Sequence, residues 1–171
     1  MTMNPSLSPK SLLRQEIKTQ LKQKNAAFKK ESGKTVLRHL IPLMHGKVAL
    51  FKGFSDEIDT CPLIDFLEQN HIHYFLPEPS VDDFFRRFAD ENIELLLVPG
   101  LAFTLHGHRL GRGKGYYDRL LSSLKSLPNP PVTVGIAMDM QILSEIPVDL
   151  HDQLVDRLCA PSLGLVTCTH P

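Results

Sequence analysis

The chain is short of the features that mark several large functional classes. Its 19 Lys and Arg are balanced by 19 Asp and Glu over 171 residues, so it carries no formal net charge. A neutral chain has no general attraction for nucleic acid or acidic lipid, and any basic site must be local. Cysteine is scarce: Cys61, Cys159 and Cys168 make an odd count without a C-x-x-C pair, which suggests neither a disulfide framework nor a zinc knuckle. The eight histidines include no H-x-x-x-H pair, and no G-x-S-x-G or cysteine signature points to an acyl-enzyme. The longest strongly apolar stretch, Leu95 to Leu105, falls short of the roughly 18 residues a membrane span needs. The opening MTMNPSLSPK has no apolar core of a secretory leader. These absences leave the expectation of a soluble, cytoplasmic protein with no nucleic-acid or membrane partner. At 42% hydrophobic and 22% charged, the composition is that of one globular domain, residues 1–171, with chain enough to bury a core.

What is present is an alternation of helical and strand patterns. Ser8-Pro9 supplies an N-cap hydroxyl and a first-turn proline, and Leu12, Leu13, Ile17 and Leu21 follow at helical spacing. A second helical pattern runs from about Ala26 to Met44, weakened by Gly33 and Pro42. Val48 to Phe51 reads as a buried strand, Cys61 to Gln69 as a helix and Ile72 to Leu76 as a strand in which His71 and His73 have no special role. Val81 to Ala89 places Phe84, Phe85 and Phe88 on a helix as core residues. Glu94 to Val98 is the clearest strand; a helix from Tyr116 to Leu124 and a strand from Val132 to Ala137 come after it. Short strands are expected near Asp156 to Cys159 and Leu165 to Cys168. Short apolar strands alternating with helices imply an α/β fold with a mostly parallel sheet covered on both faces. Ligands in such folds collect beyond the carboxyl ends of the strands, which directs attention to the residues after Val98.

There the sequence reads GHRLGRGKGYYDR, from Gly107 to Arg119. Glycines at 107, 111, 113 and 115 let consecutive backbone N–H groups converge on an anion. Arg109, Arg112 and Lys114 add charge suited to phosphate, and the run opens a helix whose free N–H groups favour the same ligand. Asp118 offers a hard oxygen for Mg2+ on a polyphosphate. The run is not a P-loop, because His108 and Gly115 occupy positions that need Gly and Ser or Thr, and it is not the dinucleotide fingerprint, because Tyr116 stands at the third glycine. The alternative is a flexible basic turn without a ligand. Lys10, Arg14 and Lys18 share one helix face. That face is either solvated or laid over the glycine loop, where Lys10 and Arg14 would clamp a terminal phosphate. Phe54-Ser55-Asp56-Glu57 follows a strand and carries either a substrate-reading carboxylate or an exposed turn. Asp152 is a second metal-ligand candidate or a plain loop residue.

The stretch Val98 to Leu121, VPGLAFTLHGHRLGRGKGYYDRLL, closely resembles the signature of the 5-formyltetrahydrofolate cyclo-ligase (methenyltetrahydrofolate synthetase) family. Lys10 to Arg14 is similar to that family's N-terminal K-x-x-x-R, Phe51 to Thr60 (FKGFSDEIDT) to its strand-turn segment, and Val134 to Asp152 (VGIAMDMQILSEIPVDLHD) to its late block. The resemblance implies a three-layer α/β/α sandwich, Rossmann-like and related to sugar-phosphate isomerases and CoA-transferases. It implies ATP phosphates on Arg109, Leu110, Gly111, Arg112, Gly113, Lys114, Gly115, Tyr116 and Tyr117, with Lys10 and Arg14 closing from the first helix. It implies Mg2+ at Asp118 and Asp152. The folate substrate would meet Lys52, Glu57 and the loop from Arg112 to Tyr116, with Arg112, Lys114 and Tyr116 at the reacting groups. The implied reaction phosphorylates the N5-formyl oxygen with ATP, after which N10 closes the ring and phosphate leaves, in a monomeric enzyme. An ATP-binding relative acting on another small substrate, or a nucleotide-binding module without turnover, would keep the same loop. In one place the chain departs from the family pattern. Phe75-Leu76-Pro77-Glu78-Pro79 joins two landmarks that the family separates by a segment contributing a strand or hairpin to the folate pocket.

Overall fold

A computed structural model describes residues 7–171; the first part of the opening segment, on which the expectation about a leader rests, lies outside the described residues. The central sheet has six strands, β1 (Val48–Ala49), β2 (Tyr74–Phe75), β3 (Leu95–Val98), β6 (Val132–Ile136), β7 (Arg157–Ala160) and β8 (Gly164–Thr167). Their order is β2-β1-β3-β6-β7-β8, parallel throughout except for the terminal β7–β8 hairpin. A separate two-stranded ribbon, β4 (Ala102–Phe103) with β5 (Arg109–Leu110), leaves the end of β3.

Helices cover both faces. Helices α1 (Pro9–Lys22), α2 (Ala26–Leu40) and α3 (Cys61–Gln69) bury Ile17, Leu21, Val36, Leu40, Leu63 and Leu67 against Val48, Leu95, Leu97, Val134 and Ile136. Helices α4 (Val81–Glu91) and α5 (Tyr116–Leu124) bury Phe84, Phe88, Leu120, Leu121 and Leu124 against Ala49, Leu96, Val98 and Leu158. Alternate residues of β3 thus serve opposite cores, which is why LLLV is apolar without interruption. The three-layer α/β/α expectation holds.

The deviations from the expected elements have local causes. Leu12 is 54% exposed, so the inward side of α1 is Leu13, Ile17 and Leu21. Helix α2 stops at Leu40 and a single 3-10 turn, Ile41–Leu43, comes next, because Pro42 lacks the donor a continued helix needs. Strand β2 keeps only Tyr74–Phe75 of the expected five residues, and its sole partner β1 only Val48–Ala49 of Val48 to Phe51, so the two pair over two positions. His71 sits at φ +53 in the turn after α3, outside the strand.

Between β1 and β3 the chain order reverses direction across the sheet, with β2 on one side and β6 on the other. Beyond the carboxyl ends of such neighbours a crevice opens, and here it receives the segments after Ala49 and Val98. One close approach braces it: Gly33 of α2 lies where any Cβ would run into the backbone carbonyl of Asp59. Gly33→Ala is expected to force α2 away from that segment and destabilise the fold by about 1–3 kcal/mol, as overpacking does; a urea titration against the native protein checks it, and an unchanged midpoint would remove the contact from this role.

Candidate functional site

Two segments form the walls of the crevice. The first, Phe51 to Thr60, is a tightly bound turn. Thr60 Oγ1 donates to the Phe51 carbonyl (2.9 Å) and accepts from Gly53 N–H (3.3 Å). Lys29 reaches across from α2 to donate to the Ser55 carbonyl (2.6 Å), and Glu57 Oε2 accepts from Phe54 N–H (2.8 Å). Asp56 and Glu57 are therefore buried carboxylates on fixed backbone, not parts of an exposed turn.

The second wall is the glycine loop. The β4–β5 ribbon carries it out from β3, and Gln141, itself buried, donates to the carbonyls of Gly100 (2.9 Å) and Leu101 (3.1 Å) at the ribbon's base. Gly113 and Gly115 adopt φ +103 and +68, a region that residues with Cβ rarely enter, and Gly115 is the N-cap of α5. The loop's amides and the first turn of α5 lie along one cleft of about 1470 Å3 that also contains Lys10, Arg14, Lys52, Glu57, Arg109, Arg112, Lys114, Tyr116, Tyr117, Asp118 and Asp152. Of the residues singled out in the sequence, Leu110, Gly107 and Lys18 lie away from it. The Leu110 side chain is fully buried in the core. The Gly107 N–H donates to the Thr104 carbonyl (2.9 Å) in the turn of the ribbon, so Gly107 is not among the amides open to an anion.

The cations are not free charges. Arg14 crosses from α1 and its Nε donates to the Gly111 carbonyl (2.8 Å), which places the α1 basic face over the loop. Lys10 is buried and donates to Asp149 Oδ2 (2.7 Å) and, more closely, to Asp152 Oδ2. Burial opposes the Lys10 charge, but the two aspartates outweigh it and hold its pKa above the ordinary lysine value. Arg109 has 5% of its side chain exposed and lies beneath the loop, donating to the Pro99 carbonyl (3.2 Å) and Asp118 Oδ2 (3.1 Å), with its guanidinium 5.6 Å from the centre of the Tyr117 ring. It supports the loop from below and presents no open fork to the cleft. Arg112 spans the cleft: Nε and Nη2 donate to Glu57 Oε1 (3.1 and 3.0 Å), while Nη1 and Nη2 donate to Asp56 (3.3 and 2.6 Å). The exposed ring of Phe54 covers the same guanidinium at 4.8 Å. Lys114 forms no ion pair among the described residues and is exposed.

Asp118 and Asp152 come from distant parts of the chain, and the Gln153 N–H that accompanies Asp152 donates to Asp118 Oδ1 (3.1 Å). Asp152 uses only Oδ2 in its hydrogen bonds among the described residues. Two carboxylates beside a glycine-rich loop are a donor set that fits Mg2+, which takes few protein oxygens and completes its shell with water and anionic ligands. The short Leu76–Pro79 connection forms part of the rim, and the Tyr116 hydroxyl donates to the Glu78 carbonyl (2.7 Å). Sequence patterns named Asp56 only as part of the Phe54–Glu57 segment and assigned no role to Asp149, Gln141 and Glu78. Asp56 and Asp149 each stand within three residues of a carboxylate that had one, and that proximity was the available signal.

Comparison with known proteins places these residues in context. Residues 84–161 match the profile described as the 5-formyltetrahydrofolate cyclo-ligase family. The 5-formyltetrahydrofolate cyclo-ligase of Escherichia coli K12 is 29% identical over 150 residues, which cover 70% of this chain and 80% of that protein. The mitochondrial 5-formyltetrahydrofolate cyclo-ligase of Arabidopsis thaliana is 43% identical over 88 residues, covering 47% of this chain and 31% of that protein. The chain spans about a third of the length of the first curated relatives it matches. A 5,10-methenyltetrahydrofolate synthetase from Mycoplasma pneumoniae superposes with a TM-score of 0.70 at 21% identity, over 89% of this chain and 98% of that one, and shares the fold.

Removing Asp118 leaves the Arg109 guanidinium in a dry site without its counter-charge. Asp118→Ala is expected to destabilise the protein by about 3 kcal/mol, the lower end for breaking a buried pair, and thermal melts of Asp118→Ala against Arg109→Met with Asp118→Leu, which recovers most of the loss, check it. The Asp56 carboxyl responds to pH in a defined direction. Burial raises its pKa, but Arg112 more than offsets this and holds it below 3.8. A depressed carboxyl stabilises the fold above 3.8 and loses that contribution as pH falls through the folded value. The stability gap between native protein and Asp56→Asn should therefore be full at neutral pH and shrink in acid below 3.8, as read from urea midpoints.

Proposed function

We propose that the chain is a member of the 5-formyltetrahydrofolate cyclo-ligase family, to which residues 84–161 are similar, and that it catalyses the ATP-dependent conversion of 5-formyltetrahydrofolate to 5,10-methenyltetrahydrofolate, releasing ADP and phosphate. The observation that carries this reading is the Gly111–Gly115 loop, opening α5 and roofed by Arg14 at 2.8 Å, with Arg112 bridging from it to Glu57 on the opposite wall. A triphosphate on the loop and a formyl group at Glu57 would meet at Arg112.

Loop amides from Gly111 to Gly115 and the N-terminus of α5 hold the phosphates, with Arg14 and Lys10 closing above them. The formyl oxygen attacks the terminal phosphorus, and ADP departs. N10 then attacks the activated carbon and gives up its proton to solvent, the carbon–oxygen bond breaks, and phosphate leaves as the ring closes. Phosphoryl transfer asks the protein mainly for position and charge neutralisation, so no side-chain nucleophile is required. Arg112 and Lys114 meet the charge that grows on the transferring group, Tyr116 keeps the wall at Glu78 in place, and Lys52 and Glu57 orient the folate. Asp118 and Asp152 are the residues that would hold Mg2+, whose contribution when bound is to neutralise phosphate charge. Three unpaired thiols support the reducing cytoplasm, and the absence of net charge supports a small-molecule partner rather than nucleic acid. Among the described residues no helix is long and apolar enough to cross a membrane.

One observation favours a second reading. The rim from Leu76 to Pro79 is only a short connection between β2 and α4, and the open side of the cleft would also admit a different small substrate in an ATP-binding relative. Production of the methenyl compound, followed by its near-ultraviolet absorbance, decides between them: product formation supports the cyclo-ligase, and ATP binding without product supports the second. Arg112→Ala is expected to lower kcat/KM by about 100-fold, as loss of a group aimed at transition-state charge does, and undiminished turnover would remove Arg112 from the reaction.

A further inference from the structure

The double engagement of Arg112 leaves its guanidinium almost fully committed. Of five N–H groups, Nε-H and one on Nη2 go to Glu57, while the second on Nη2 and one on Nη1 go to Asp56. One N–H remains. The two carboxylates hold it in different ways. A single oxygen of Glu57 lies along the Nε edge, whereas both oxygens of Asp56 take the Nη1–Nη2 end. That end is the fork a phosphate prefers, with two parallel donors matched to two oxygens.

Asp56 is not a passing contact. Its side chain is 12% exposed, and the turn that bears it is fixed by Lys29, Thr60 and the Phe54 amide. The local charge also favours a stand-in for phosphate, because Lys18 from α1 acts on Asp56 together with Arg112. We infer that Asp56 is a positioning residue that occupies the fork of Arg112 as an internal anion and reserves it for a phosphate already anchored on the loop, against free phosphate.

This inference rests on the phosphate-binding reading of the loop and adds to it a basis for selectivity. A lone phosphate reaching Arg112 must displace Asp56 with nothing else holding it, and its apparent affinity falls by the fraction of time the fork is open. The terminal phosphate of a bound triphosphate is tethered through the groups on Gly111 to Gly115, so it competes with Asp56 at a high effective concentration. Discrimination arises here from a competitor built into the protein. The same competitor would limit rebinding of the phosphate that the proposed reaction releases.

Inorganic phosphate is the probe, titrated calorimetrically into the native protein, Asp56→Asn, Asp56→Glu and the double variant Asp56→Asn/Arg112→Ala. Asp56→Asn should bind phosphate about tenfold more tightly than the native protein, a gain that a merely damaged fold does not produce. Asp56→Glu, which keeps the charge, should match the native protein, and the double variant should lose the gain. If Asp56→Asn does not fold, Asp56→Ser carries the same comparison. Equal phosphate affinity in the native and neutral variants overturns the inference, as does a gain that survives without Arg112. Methenyl formation by the native protein is measured alongside; its absence counts against the proposed reaction and leaves the phosphate comparison standing.

Discussion

Lys10, Arg14, Arg109 and Arg112 converge at one end of a parallel sheet, and their mutual repulsion must be contained before any ligand arrives. Two unit charges a few ångströms apart interact by about 4 kcal/mol at the effective dielectric of a protein surface. Uncompensated, such a cluster would push the glycine loop away from α1. Each cation is instead given a partner: Asp149 and Asp152 for Lys10, Asp118 for Arg109, Asp56 and Glu57 for Arg112, and the Gly111 carbonyl for Arg14. The absence of net charge in the chain has a local counterpart in this pairing.

The partners do not all serve one purpose. Asp118 and Arg109 form a dry support under the loop, where guanidinium and carboxylate are both largely hidden from water. Asp149 is 70% exposed and its bond to Lys10 is screened, so that contact yields readily to a competing anion. Asp56 and Glu57 lie between these cases, both buried against Arg112, with Glu57 also lining the cleft. The site is thus graded from fixed support to exchangeable contact. Such grading lets the loop stay ordered from below while the contacts on its upper face remain exchangeable.

Sheet topology places this chemistry. The reversal of strand order between β1 and β3 opens the crevice, and the segments that leave those strands carry the acidic turn and the glycine loop respectively. Val98 to Leu121 was legible as a candidate anion-binding run because glycine, cation and helix start succeed one another in the sequence. The helices Cys61–Gln69 and Tyr116–Leu124 were equally legible, since their apolar spacing is local. Strand lengths were not, as with β1 and β2, which pair with each other over only two positions. Leu12 also misled, because a helical stripe of leucines shows a face but not where the neighbouring helix ends its contact.

The amino-acid sequence by itself determined the alternation of elements, the neutral balance of charge and the single stretch able to wrap an anion. These depend on residues within a few positions of one another, and their physics is local. Only the tertiary structure decided which carboxylate meets which cation. Arg112 reaches Asp56 and Glu57 across 56 and 55 positions, and Lys10 reaches Asp152 across 142. Pairings over such separations arise from strand order and helix packing. Spacing along the chain does not encode them.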